Sequence, residues 1–299
     1  MNSNGRRLPC AFPYIGGKWR LAPRIIALMP PHEVYVEVFG GSGAVLFAKE
    51  RSKVEVLNDC DGEIVNFFRV LQDPGKTDRL MQRLFVTPYS RKVYAEMCER
   101  PLPKDDVLRA WVLWARARMC FGGYRPAENG FRFAGNTRGR WRRSLGSRHQ
   151  GGGDAATLHN KIDELDRFTE RLRGVYIEDK DFPYILDWWD SPRTVFYLDP
   201  PYFGTEGYYD GGMFPEWRHY ELADHLARIK GKAVVSYYPH PKLAELYPED
   251  RWHRATFRVR KNQQKTVPGT EAKYETEMLL MNYEPTDGAR APVEKGAGT

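Results

Sequence analysis

Cysteine is scarce in this 299-residue chain. Its four copies (Cys10, Cys60, Cys98 and Cys120) stand far apart, with no CxxC pair and no histidine at metal-ligand spacing. That pattern argues against a disulfide framework and a structural zinc site, and predicts reduced, mostly buried thiols in a cytosolic protein. No metal is expected. Long apolar runs are missing too. None reaches the length that spans a bilayer, and Met1 to Pro13 lacks the apolar core of a secretory leader. The expectation is a cytoplasmic protein with no membrane partner. Two nucleotide signatures are also absent: Gly40-Gly41-Ser42-Gly43 departs from GxGxxG, and no phosphate-binding lysine follows it as in a P-loop.

Acidic residues are nearly missing from one stretch that is dense in base. The whole chain carries 46 basic and 39 acidic residues, a net charge of +7, which by itself says little about partners. Between Arg116 and Arg148, however, nine arginines face a single acid, Glu128, and Phe121, Tyr124, Phe131, Phe133 and Trp141 are interleaved with them. Solvated faces ordinarily mix both signs of charge. This stretch suits a polyanion, and its Gly-, Ser- and Arg-rich part from Gly135 to Gly153 could order on a phosphate backbone. The candidate contacts are Arg116, Arg118, Tyr124, Arg125, Arg138, Arg140, Arg142 and Arg143. A basic linker is the plainer alternative.

A hydrophobic content of 41% is enough for one large α/β domain, or one with a smaller insert. Lys18 to Leu28 has helical spacing and ends at Pro30-Pro31. Val34 to Phe39 reads as a strand, the glycine turn follows, and Ala44 to Ala48 starts a helix. Val54 to Leu57 is a second strand ending at Asn58-Asp59, and Glu63 to Leu71 a helix. This order is the first half of a doubly wound fold. From Lys76 to Arg173 the strand rhythm disappears, with helices expected over Val107 to Met119 and Ala155 to Leu172. Strands resume at Gly174 to Glu178, Thr194 to Leu198 and Ala233 to Ser236. Phe257 to Val259 and Glu277 to Met281 close the chain as an antiparallel pair. The expected division is a catalytic domain over 8–75 and 174–285, an inserted, mainly helical subdomain over 76–173, and a disordered tail over 286–299.

The most informative residues end the fourth strand. Asp199-Pro200-Pro201-Tyr202 follows Thr194-Val195-Phe196-Tyr197-Leu198, and the two prolines stop the strand and remove two N–H donors. An acid, exposed carbonyls and an aromatic ring then sit at a strand's carboxyl end, where open α/β sheets bind ligands. Such a set suits a planar heterocycle bearing an amino group; an ordinary Asp-Pro turn is the bland alternative. Other residues are ambiguous alone. The glycines let the backbone approach a ligand. Glu37 lies near the end of the first strand. Asp59 suits ribose hydroxyls or a helix N-cap. Lys18, in Tyr14-Ile15-Gly16-Gly17-Lys18, suits a carboxylate or phosphate, or a plain helix entry. Asp181-Phe182 suits an adenine, or a helix cap and a core ring.

Taken in order, Tyr14-Ile15-Gly16-Gly17-Lys18, Glu37-Val38-Phe39-Gly40-Gly41-Ser42-Gly43, Leu57-Asn58-Asp59, Asp181-Phe182 and Asp199-Pro200-Pro201-Tyr202 resemble the Dam-type (D12) adenine-N6 DNA methyltransferases, with the α-group order of parts. The resemblance spans Phe12 to about Tyr283 and is thin between Lys76 and Arg173. It implies a Rossmann-like S-adenosylmethionine-dependent fold with the insert as target-recognition subdomain. It implies a cofactor site made by Tyr14, Gly17, Lys18, Glu37, Phe39, Gly40, Gly41, Gly43, Asp59, Asp181 and Phe182. It implies a catalytic Asp199, Pro200, Pro201 and Tyr202, with Asp199 and the Pro200 carbonyl accepting from the target amine and Tyr202, with Phe203, stacking on an extruded base. The partner would be double-stranded DNA, bound by a monomer. RNA-adenine or cytosine-N4 methylation, or a catalytically inactive DNA-binding protein of the same fold, are the alternatives. Cytosine enzymes more often carry serine where this chain has Asp199.

Overall fold

Seven strands form one mixed sheet: β1 (Val34–Glu37), β2 (Val54–Asn58), β3 (Val175–Glu178), β4 (Thr194–Leu198), β5 (Lys232–Tyr237), β6 (His253–Arg260) and β7 (Tyr274–Met281), in the order β3-β2-β1-β4-β5-β7-β6. The first five pair in parallel, and β7 runs antiparallel between β5 and β6. The computed structural model describes residues 8, 10–14, 16–99, 101–120, 158–204, 214–260 and 274–285; most of the arginine-rich stretch, 121–157, and the tail from 286 lie outside them. Among the described residues no helix is long and apolar enough to cross a membrane.

The strands are β-branched and aromatic, and their alternation loads both faces. Tyr35, Leu57, Tyr197, Val234 and Leu279 point into one buried cluster; Val36, Val56, Phe196, Val235 and Leu280 point into the other. The first face is covered by helices Ala22–Leu28, Ala44–Ala48 and Gly62–Gln72, the second by helices Phe182–Trp189, Glu216–Leu226 and Leu243–Leu246. The helix expected from Lys18 begins only at Ala22, because the chain first turns through Gly16 at φ +74° and places Pro23 in the first helical turn. Helices Pro74–Phe85 and Arg91–Glu96 were not anticipated. Each starts at a side-chain cap, Asp73 accepting from the Lys76 amide at 3.1 Å and Ser90 from the Lys92 amide at 3.2 Å.

Between β2 and β3 the described chain is helical, with Asp106–Met119 and Leu165–Leu172 following those two. These helices pack into the same cluster as Phe67 and Phe68 of the first half. A buried ion triad fixes the last of them to the sheet. Arg171 reaches the Glu55 carboxylate with both terminal nitrogens, at 2.5 and 2.9 Å, and the Leu46 carbonyl at 2.7 Å; Lys49 Nζ lies 2.7 Å from the same carboxylate. Burial alone would raise the Glu55 pKa, but the two cations hold it below the ordinary value.

Candidate active site

Strand order reverses between β1 and β4. From β1 the sheet continues outward through β2 and β3, and from β4 through β5, so the carboxyl ends of these two strands lie at the switch point where open α/β sheets place a ligand crevice. Glu37, the last residue of β1, is in register with Tyr197 on β4, and Asp199 lies two residues beyond Tyr197. Glu37 and Asp199 thus occupy the two lips of the crevice.

Four side chains meet there. Lys18 Nζ lies 2.9 Å from Asp199 Oδ2 and 3.3 Å from Glu277 Oε1, and donates to the Gly16 carbonyl at 2.9 Å. The Tyr202 hydroxyl is 2.8 Å from Asp199 Oδ1 and within hydrogen-bond distance of Glu277 Oε1. Burial opposes the Lys18 charge, yet Asp199 and Glu277 hold the ammonium above the ordinary lysine value. Asp199 keeps the most open position, its side chain 21% exposed against 5% for Glu277. A carboxylate has about four lone-pair sites, so Asp199 retains acceptor capacity toward the crevice after these contacts.

Glu37 is buried on β1, where the Tyr35 hydroxyl and the Leu46 amide donate to Oε2 at 2.8 and 2.7 Å. Burial pushes its pKa from the ordinary 4.5 up to about 7, against those hydrogen bonds and with a small added push from Asp199. A carboxyl raised in this sense binds more protons folded than unfolded, so its stabilising effect is full below 4.5 and is lost as pH rises toward about 7. Glu37→Gln should therefore flatten part of the fall in melting temperature across that window. A variant that melts with the wild-type pH slope would show that Glu37 does not titrate there.

Asp59 stands at the end of β2. Its Oδ2 accepts from the Gly41 amide at 2.7 Å and its Oδ1 from the Asp61 amide at 2.9 Å. Burial and the nearby Asp61 raise it to about 7. The helix cap is Asp61 instead, accepting from the Glu63 amide at 2.8 Å. That leaves Asp59 holding the glycine turn, with acceptor capacity to spare for a diol. The turn itself needs glycine. Gly41 is at φ +50° and a Cβ there would meet the Tyr14 ring at 3.2 Å; at Gly40 a Cβ would fall 2.8 Å from the Asn58 carbonyl. The carboxylate, the amide-lined turn and the facing Tyr14 ring form a set that fits a ribose-bearing cofactor.

Other candidates are placed differently from one another. Asp181 accepts from the Phe182 amide at 2.8 Å as the cap of its helix and is ion-paired with Arg218. Phe182 is buried, with ring centroids 5.9 Å from both Phe39 and Phe214, and Arg218 lies over it at 4.3 Å. Tyr202 is buried, with Lys18 Nζ 5.0 Å from its ring centroid and Tyr238 edge-on at 4.6 Å. Phe203 is stacked between His219 at 3.8 Å and His240 at 4.6 Å, so both of its ring faces are covered. Arg116 is buried, and Arg118 donates to the Ala11 carbonyl at 3.2 Å and lies over the Trp114 ring. Tyr124, Arg125, Arg138, Arg140, Arg142 and Arg143 lie outside the described residues. Among the described residues no cluster of three or more His, Cys, Asp or Glu could hold a metal ion.

Three participants escaped the sequence. Asn58 donates to the Val38 and Lys180 carbonyls and accepts from the Lys180 amide, each at 2.9 Å, tying together the carboxyl ends of β1, β2 and β3. Arg218 gave no signal at all. Glu277 did: the period-two alternation of β7 puts it on one face with the fully buried Leu279 and Met281, where an acid needs a partner.

A model of the family D12 class N6 adenine-specific DNA methyltransferase matches residues 14–261 of this chain. A curated protein of Escherichia phage P1, named DNA N-6-adenine-methyltransferase, is 24% identical over 259 residues, which are 83% of this chain and 31% of that protein. The chain thus spans about a third (31%) of that relative's length. Among solved structures, precorrin 8W decarboxylase from Methanobacterium thermoautotrophicum is 12% identical, with 93% of this chain and 100% of that one covered at a TM-score of 0.39. A likeness that loose carries no argument.

Proposed function

The chain belongs to the D12 class of N6 adenine-specific DNA methyltransferases, and on that premise we propose that it methylates the N6 amino group of adenine in double-stranded DNA, with S-adenosylmethionine as the donor. One observation carries the reading: Asp199 stands at the strand-order reversal, oriented on one oxygen by Lys18 and on the other by Tyr202, and open toward the crevice. When bound, S-adenosylmethionine supplies an electrophilic methyl group on a sulfonium centre. Tyr14, Gly17, Phe39, the glycines of the turn, Asp59, Asp181 and Phe182 would hold it, Asp59 through its ribose hydroxyls, with Lys18 and Glu37 around its methionine end.

The chain's own part is positioning and electrostatics. The exocyclic amine of adenine is a poor nucleophile, because its lone pair is delocalised into the ring. Asp199 and the Pro200 carbonyl accept its two hydrogens, favour tetrahedral nitrogen and aim the lone pair. Pro201 keeps an amide donor out of that arrangement. The base must leave the duplex to reach the crevice, and the Tyr202 and Tyr238 rings supply walls for it. The deciding experiment uses labelled S-adenosylmethionine with duplex DNA and, in parallel, with RNA, followed by digestion to nucleosides. Label is expected in N6-methyladenine; label only in N4-methylcytosine or in RNA, or in nothing, sinks the reading.

The inserted helical region between β2 and β3 is proposed to carry target recognition, with Arg125, Arg138, Arg140, Arg142 and Arg143 on phosphates. The burial of Arg116 speaks for leaving it out of that set. Neutralising Arg140, Arg142 and Arg143 together should weaken DNA binding and reduce the slope of log K against log salt by about 2–3, one contact per arginine. An unchanged slope in a salt titration would return this stretch to a linker.

A further inference from the structure

The Asp199–Tyr202–Glu277 contacts raise a question of proton count. The Tyr202 hydroxyl lies 2.8 Å from Asp199 Oδ1 and within hydrogen-bond distance of Glu277 Oε1. A phenol has one proton and can donate to one of these oxygens at a time. The second contact becomes a hydrogen bond only when a carboxyl proton points back at the phenol oxygen. With both acids ionised, the chain of three groups is one proton short. Lys18 also bridges the two carboxylates, but its own protons serve those contacts and add none between the Tyr202 oxygen and Glu277.

The reaction under "Proposed function", on which this inference rests, produces one proton. When N6 gains a methyl group the nitrogen becomes cationic and must lose a hydrogen ion. Asp199 is the acceptor beside it, but a protonated Asp199 no longer orients the next amine. We propose that Glu277 is the final acceptor of this proton, which passes from N6 to Asp199 and on through the Tyr202 hydroxyl. In that step the N6–H bond breaks and an Asp199 O–H bond forms. Asp199 Oδ1 then returns its proton to the Tyr202 oxygen while the Tyr202 proton moves to Glu277 Oε1. Charge balances: Asp199 is again anionic, Glu277 is neutral, and Lys18 stays an ammonium throughout.

The surroundings of Glu277 suit an acceptor more than a permanent anion. Burial and Asp199 raise its affinity for a proton, with Lys18 and the Tyr202 hydrogen bond opposing. The groups facing it are Lys18 from the amino-terminal turn and Tyr197, Asp199 and Tyr202 from β4 and its turn. Tyr238, which interacts with Glu275, adjoins it beyond β5, and Phe257, its cross-strand partner on β6, has Arg24 over its ring. Of the carboxyls in this cluster Glu277 is the one shut from solvent, so a proton stored there waits out of contact with water until product leaves. Glu277 is in these terms a positioning residue, acting through Tyr202.

Glu277→Gln in the full chain tests the relay. Glutamine can still accept from Tyr202 and Lys18 but cannot take up a proton. Steady-state methylation of duplex DNA should fall roughly a hundredfold at neutral pH, and the part of the acid limb that Glu277 sets should vanish from the pH profile, while cofactor binding and melting temperature stay put. In infrared difference spectra of protein carrying carbon-13-labelled glutamate, the isotope-shifted carbonyl band of a protonated glutamate should appear in the wild-type product complex and be missing from Glu277→Gln, where the proton stays on Asp199. Should that variant fail to fold, Tyr202→Phe keeps the ring, removes the bridge, and should lose the same limb and band. A variant with the wild-type rate and acid limb, or a glutamate carboxyl band that survives the substitution, overturns the proposal. Failure of the broader reading looks different, since the wild-type chain itself would then put no methyl group on adenine, and the relay would go with it.

Discussion

Asp199→Ala is expected to abolish methylation while leaving cofactor affinity unchanged. Loss of an acceptor that orients the amine and then takes its proton should cost at least about a thousandfold in the single-turnover rate. The separation of effects follows from position. Asp199 follows β4, whereas Asp59 and the glycine turn, proposed to hold the cofactor, are built on β1 and β2 and are held by their own amides. Lys18 keeps Glu277 as a partner when Asp199 is gone, so no buried ammonium is stranded. Equilibrium binding of S-adenosylmethionine by calorimetry, beside a single-turnover assay, reads both quantities. An Asp199→Ala protein that still methylates adenine would show that another group orients the amine. A protein that also fails to bind the cofactor would mean that the two lips of the crevice are not independent.

Arg171→Ala should be the most destabilising single change outside the crevice. It leaves the buried Glu55 carboxylate with Lys49 as its one described cation, and removes the donor that the Leu46 carbonyl accepts from. Removing one partner of a buried ion pair costs about 3–5 kcal/mol, and here the carboxylate loses its two-point contact with the guanidinium, with Lys49 left to offset part of its desolvation. In a domain of this size that corresponds to a melting temperature lower by roughly 6–10 °C. The pH dependence has a definite sign. Glu55 is held below its ordinary 4.5, so the triad's contribution is present above that value and is lost as pH falls through the lower folded one. The gap between wild type and Arg171→Ala should therefore narrow in acid. The exposed pair Lys53–Glu33 provides the contrast, since Lys53→Ala should leave the melting temperature in place. Equal effects at the two sites would show that the Glu55 triad carries no special weight.

How far the sequence could be read varied with the range of the interaction. β4 was found at its observed ends because Thr194 to Leu198 is a continuous run closed by two prolines, all of it local. The strands on either side of the glycine turn were legible for the same reason. Helix Pro74–Phe85 was not, although Asp73 followed by Pro74 is a start signal. Helix Phe182–Trp189 was hidden in another way. By local signals Asp181-Phe182 suits an adenine, or a cap with a core ring, and the structure gives each residue a definite neighbourhood, Arg218 among it.

Sequence alone determined the parts whose physics is local: strands from β-branched runs, a turn that only glycine can make, and an Asp-Pro-Pro-Tyr corner with its acceptors bared. The order of those parts was enough to point to the family. Tertiary structure decided what they face. Lys18 and Glu277 stand near opposite ends of the chain; the placement of β7 beside β5 brings Glu277 to Asp199 and Tyr202, and the amino-terminal turn before the first helix brings Lys18. The same holds for Glu55, which finds Arg171 across the whole region between β2 and β3. A buried charge must have a partner, but nothing in the local chain says which one, because the partner is set by packing of elements distant in sequence.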